Sequence, residues 1–158
     1  MTWKRGAATI IRLLAAKELE HVEPSTQQAE RLLDEARRHV ASAERIVDDD
    51  PNGSYQLAYD ALRKVGAALL AAQGLRATST GGHVALQDAI RDQFGNVIPT
   101  FDRFPRFRRA RNQLEYPSEA SADATREDVD DIVSVTLEIL EKARTVLREG
   151  VLDPFTGE

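Results

Sequence analysis

Apolar residues recur at spacings of three and four along most of this chain, the period of helices that each turn one face into a core. A first stripe runs through Ala29, Leu32, Leu33, Ala36, Val40, Ala43, Ile46 and Val47, and a second through Ala58, Ala61, Leu62, Val65, Ala68, Leu69 and Ala72. A shorter one uses Val84, Leu86 and Ile90, and the last uses Val129, Ile132, Val133, Thr136, Ile139, Leu140, Ala143, Val146 and Leu147. No period-two alternation persists beyond a few residues, so nothing reads as a strand.

The stops and starts fit the same pattern. Ser25 is the expected N-cap of the first helix, with Gln28 completing a capping box, and the run Asp48 to Gly53 ends it. The second helix is expected from about Ser54 to Gly74, a C-cap glycine. Its small residues, Gly66, Ala67 and Ala71, favour tight bundle packing or a dimer seam. A third helix spans His83 to Phe94 and breaks at Gly95-Asn96. Pro105 is expected to push Phe104 out of the helical region and open a helix reaching Tyr116, which Pro117 ends. Thr125 caps the last helix, with acids in its first turns and Arg144 and Arg148 near its end.

These pieces predict an all-α, up-and-down bundle of four main helices plus short helices. Residues 1–22 read as an N-terminal helical extension with an amphipathic piece from Thr9 to Val22, residues 23–149 as the bundle, and 150–158 as a loose tail. Trp3, the sole tryptophan, is expected as a buried anchor.

At 158 residues one domain buries roughly two thirds of the surface its unfolded chain exposes, so no staple is required. There is no cysteine, hence no thiolate chemistry and no disulfide frame. No apolar run approaches a membrane span and no signal-type cleavage segment is seen, so a soluble, cytoplasmic protein is expected. Three scattered histidines, His21, His39 and His83, give no metal-ligand spacing, and no phosphate loop or nucleophile elbow is present. No metal and no cofactor are expected.

Charge is distributed unevenly. The net charge is −5, yet residues 101–117 carry Arg103, Arg106, Arg108, Arg109 and Arg111 against only Asp102 and Glu115, a local +3. Residues 118–158 carry −7. An arginine-rich strip of this kind is a candidate site for RNA, a nucleotide or another anion. On a helix, Phe107, Ala110 and Leu114 face the core with Arg111 at its edge, and Arg108, Arg111, Asn112 and Glu115 share the adjoining flank. The plain alternative is an i, i+4 salt bridge from Arg111 to Glu115. Tyr59, Asp60 and Lys64 read as a buried tyrosine beside a surface ion pair, and His39 as a surface residue.

The segment Arg111-Asn112-Gln113-Leu114-Glu115-Tyr116 follows the aromatic, arginine-rich strip. It is accompanied by Leu57-Ala58-Tyr59-Asp60-Ala61-Leu62-Arg63-Lys64 and by Leu70-Ala71-Ala72-Gln73-Gly74-Leu75. In this order and spacing the sequence resembles the HEPN domain superfamily, over roughly residues 25–148. The resemblance implies a helical bundle that dimerises so that two arginine-polar-histidine motifs face one metal-independent, RNA-cleaving cleft. Carried over, it makes Arg111 and Asn112 the motif's arginine and polar residue. The motif's histidine is replaced by Tyr116, with Glu115 beside it, and no histidine follows His83. The implied catalytic set is Arg111, Asn112, Glu115 and Tyr116, with His83 able to supply an imidazole if it faces Arg111. Arg103, Arg106, Arg108 and Arg109 are the RNA- or anion-binding set. The resemblance also implies a toxin–antitoxin or defence role, a homodimer, and a minimal nucleotidyltransferase as antitoxin partner. The alternative is a non-catalytic, dimeric interaction or nucleotide-binding module.

Overall fold

The computed structural model describes residues 4–157, so Trp3 lies outside the described residues. The elements are α1 (Ala7–Ala15), β1 (Leu19–His21), α2 (Thr26–Ile46), α3 (Pro51–Ala72), β2 (Leu75–Ala77), α4 (Gly82–Phe94), a 3₁₀ turn (Pro99–Arg103), α5 (Phe104–Glu115) and α6 (Arg126–Arg148). The all-α bundle expected from the periodicity is what the chain forms.

The helix α3 occupies the centre. It packs along α2 for most of its length and also meets α4, α5 and α6. Ala58, Ala61, Leu62, Val65, Ala68 and Leu69 are all fully buried on it. Of its small residues, Gly66 is packed inside the chain. A Cβ added at Gly66 would come within 3.2 Å of Ile90 Cγ1 on α4, so that glycine sets how closely the two helices approach. Of the two uses expected for the small-residue stripe, the structure shows tight packing within the bundle.

α3 begins three residues earlier than its apolar spacing announced. Asp50 Oδ1 accepts the backbone N–H of Gly53 at 2.9 Å, and Pro51 opens the first turn, where a missing N–H costs nothing. Ser54, the expected start, is fully buried instead and donates its hydroxyl to Ala43 O on α2 at 2.6 Å. The other caps fall where expected. Ser25 Oγ accepts from Gln28 N, and Thr125 and Asp128 form a reciprocal capping box.

Pro105 does not displace Phe104 from the helical region. Phe104 has φ −53° and ψ −46°, because the 3₁₀ turn runs directly into α5 and the proline falls within the first turn of the new helix.

The absence of strands was also incorrect. β1 and β2 pair antiparallel, Leu19 with Ala77, Glu20 with Arg76 and His21 with Leu75. Strands of three residues are too short to display alternation, and their partners lie more than fifty positions apart. Gly74 makes the turn from α3 into β2 at φ +73°, and a Cβ there would sit 2.8 Å from Pro24 Cγ and 3.0 Å from Val22 O.

Residues 7–22 are part of the packed domain rather than an appendage. Ile10 and Leu13 are fully buried, α1 lies against α4, and residues 19–21 are strand, not helix. The tail is likewise tied down, since Phe155 is buried and its N–H donates to Gln73 O at 2.9 Å.

Near this point Gln73 and Gln93 are each 1 % exposed and exchange two side-chain hydrogen bonds, 2.7 and 3.0 Å long. Removing one partner strands the other amide in the core, which costs about 1–3 kcal/mol. Gln93→Leu should therefore lower stability in urea denaturation by about 2 kcal/mol, and the double variant Gln73→Leu/Gln93→Leu should recover part of that loss. Strictly additive losses would contradict the pairing.

Candidate anion site around Tyr59 and His83

Tyr59 lies mid-way along α3, 1 % exposed, with three different neighbours. The edge of Phe104 meets its ring at 5.8 Å and 83°. Its hydroxyl is 3.0 Å from Nδ1 of His83, in the first turn of α4. The guanidinium carbon of Arg111, from α5, stands 5.9 Å from its ring centroid, at the limit of a cation–π contact. One buried phenol thus connects α3, α4 and α5.

Two further arginines join from either side. Arg108, one turn before Arg111, donates from Nε to Gln87 Oε1 on α4 at 3.0 Å. Arg63, one turn after Tyr59, donates from Nε and Nη2 to Asp60 Oδ1 at 3.0 and 2.7 Å. Arg111 itself is a quarter exposed; its Nη1 makes a long 3.4 Å contact to Asn112 Oδ1 and its Nη2 lies 3.7 Å from Glu115 Oε2. The i, i+4 pair expected from spacing is present, but at that distance it is loose, and it does not occupy the arginine fully.

The electrostatics follow from this crowding. Burial comes first in lowering the His83 pKa below its ordinary value of 6.5; the positive charges of Arg63, Arg111 and Arg108 lower it further, while Asp60 opposes them. Burial also pushes the Tyr59 hydroxyl up to about 12, despite the same three arginines favouring its ionised form. At neutral pH the site holds a neutral imidazole and an intact phenol in a net positive field.

Beside it, α2 and α3 share a second polar cluster. Lys64 Nζ lies 2.7 Å from His39 Nε2, 3.2 Å from Glu35 Oε2 and 3.3 Å from Asp60 Oδ2. Burial would raise the Asp60 carboxyl, but Arg63 and Lys64 together hold it below its usual range. His39, expected at the surface, is instead half-buried in this cluster, because its position on α2 faces α3. Among the described residues no group of three or more histidine, cysteine or acidic side chains could hold a metal, and no helix is long and apolar enough to cross a membrane.

The expected site residues divide three ways. Arg108 and Arg111 lie on the side of α5 that adjoins α4 and Tyr59, and Asn112 and Glu115 contact Arg111. Arg103 faces α6, with Nη2 2.6 Å from Asp131 Oδ2 and its guanidinium 5.0 Å from the Phe107 ring centroid. Arg106 lines a small groove with Tyr55, Asp128 and Asp131, so α6 acids absorb part of the strip's charge. Arg109 is exposed, and Tyr116, at the end of α5, is 77 % exposed. Arg63 and Gln87 were not anticipated. The signal for Arg63 was its i, i+4 spacing from Tyr59, which puts both on one face of α3.

Comparison with protein-family models, with curated proteins and with solved structures finds no match to this chain.

Because burial and nearby cations disfavour protonated His83, the unfolded chain binds the proton first as pH falls below about 6.5. Stability contributed by neutral His83 is complete above that pH and is lost below it. His83→Gln should show a shallower loss of stability between about pH 7 and 5 than the parent in urea denaturation; parallel profiles would show that His83 is not held neutral. Tyr59→Phe, which keeps the ring and removes the hydroxyl, should leave the His83 titration below its ordinary value, because burial and the three arginines remain; proton NMR of the imidazole checks this.

Proposed function

We propose that this protein is a HEPN-like RNA-binding and RNA-cleaving protein of toxin–antitoxin or defence type, in which His83 serves where the motif's histidine is replaced. What carries the reading is the buried Tyr59, whose hydroxyl holds His83 while its ring lies beside Arg111. This supports the sequence resemblance at the point where it was incomplete. It brings an imidazole from α4 to the neighbourhood of the Arg111-Asn112 pair on α5.

The chemistry is metal-independent. A neutral His83, its Nδ1–H donated to the Tyr59 hydroxyl, takes at Nε2 the proton of a ribose 2′-hydroxyl; the oxygen attacks the adjacent phosphorus, forming a cyclic phosphate as the 5′-oxygen leaves. The imidazolium returns its proton to that leaving oxygen. Arg111 and Arg108 stabilise the charge that accumulates on the phosphorane. Burial, the first cause of the lowered His83 pKa, persists in the complex, while the bound phosphate offsets the arginines that lower it further and so moves the imidazole toward the basicity the step requires. In this reading two copies associate so that both Arg111 side chains line one cleft, and a minimal nucleotidyltransferase is the partner that restrains it.

The contact between Arg111 and Glu115 favours a second reading, in which the same residues bind an anion or an acidic partner without chemistry.

Incubation with total cellular RNA in EDTA separates the two. Cleavage to cyclic-phosphate ends is expected, and Arg111→Ala and His83→Gln should each reduce it about 100-fold or more. RNA binding should weaken in Arg111→Ala and persist in His83→Gln. Binding without cleavage by the folded parent assigns the second reading. Neither binding nor cleavage overturns both.

A further inference from the structure

Behind the Tyr59 and His83 site lies a cavity of about 630 Å³, between the α2 and α3 pair on one side and β2 and the start of α4 on the other. Its size falls in the range of about 300–1,000 Å³ that small-molecule sites occupy. Its floor is aliphatic: Leu32, Ala67, Leu70, Leu75 and Leu86 line it, and among the described residues no phenylalanine, tyrosine or tryptophan does. Such a surface suits a flexible hydrocarbon better than a planar ring, which would find nothing to stack upon.

The rest of the lining is not wholly apolar, and includes Glu23, Ser25, Gln28 and Arg76. At one wall Arg63 and His83 line the cavity as well as belonging to the anion site, and Thr78 and Ser79 line it too. Arg63 gives Nε and Nη2 to Asp60, which leaves the two N–H groups of Nη1 without a hydrogen bond among the described residues. The field at this wall is positive, since Arg63, Arg108 and Arg111 all act on His83 against the single carboxylate of Asp60. An aliphatic trough closed at one end by a guanidinium and an imidazole has the complementarity of a molecule with an apolar body and an anionic head.

We propose that this cavity binds a medium-chain aliphatic carboxylate, with its chain along Leu32, Leu70, Leu75 and Leu86 and its carboxylate at Arg63 Nη1 and His83. The site stands on the cavity and its lining, independent of any action on RNA. Because Arg63 and His83 belong to both sites, an occupant here sets the charge state of the imidazole from behind.

The test uses decanoate as probe, with decanol as its uncharged counterpart, titrated into the full chain and followed by His83 imidazole NMR and by isothermal calorimetry. Saturable decanoate binding is expected, with the His83 titration moving upward as the bound carboxylate offsets the arginines. Decanol should bind about tenfold more weakly. Arg63→Gln should bring decanoate down to the affinity of decanol. Ala67→Phe, which projects a ring into the trough, should abolish binding of both while circular dichroism confirms the fold. Absence of saturable decanoate binding up to about 1 mM, equal affinity for decanol, or undiminished binding by folded Ala67→Phe would each overturn the proposal. RNA cleavage is read separately, so loss of one result leaves the other standing.

Discussion

Burial of α3 on nearly every side is the constraint from which the rest of the structure follows. A helix surrounded by α2, α4, α5 and α6 has no room for large side chains all round, which is why alanine and glycine alternate with leucine and valine along it. The two large exceptions, Tyr55 and Tyr59, lie near its N-terminal half and point toward α5. The hydroxyl of a buried tyrosine must find a partner, and the one Tyr59 finds is an imidazole. Packing demand and polar demand meet at the same residue, and the candidate site is the result.

The site's chemistry is a matter of unequal charge compensation. Lys64 is matched by Glu35 and Asp60, and Arg103 by Asp131, so these cations are spoken for. Among the described residues Arg108 donates a hydrogen bond only to a neutral amide, and Arg111 holds a loosely placed glutamate. Half-buried guanidinium groups with such weak partners keep much of their field, and they exert it on the one histidine beside them. An incoming phosphate or carboxylate completes the compensation that the fold leaves unfinished.

Much of the architecture was legible because helices write their period into the sequence: the stripes of α2, α3, α4 and α6 and the caps at Ser25 and Thr125 are local signals. What escaped notice was nonlocal. The ribbon of β1 and β2 joins residues that no window spans together, and Phe155 earns its burial only because α3 ends where it does. The site was half legible. Arg111 and its neighbours stood out by composition, and His83 was noticed for its chemistry, but their approach depends on α4 and α5 converging on Tyr59. No spacing along the chain encodes that convergence. Likewise, the arginine strip looked uniform in sequence, whereas the structure sorts it by face, sending Arg103 toward α6 and Arg108 toward α4.

The paired amides of Gln73 and Gln93 bear on all this from a distance. Two glutamines that satisfy each other in a dry interior accept one relative placement of their helices, since sliding α4 by a turn would separate both hydrogen bonds at once. His83 belongs to the same helix as Gln93, about three turns away. The pair therefore acts as an indexing pin: a neutral contact with no chemistry of its own fixes the axial position from which an imidazole is delivered to an arginine.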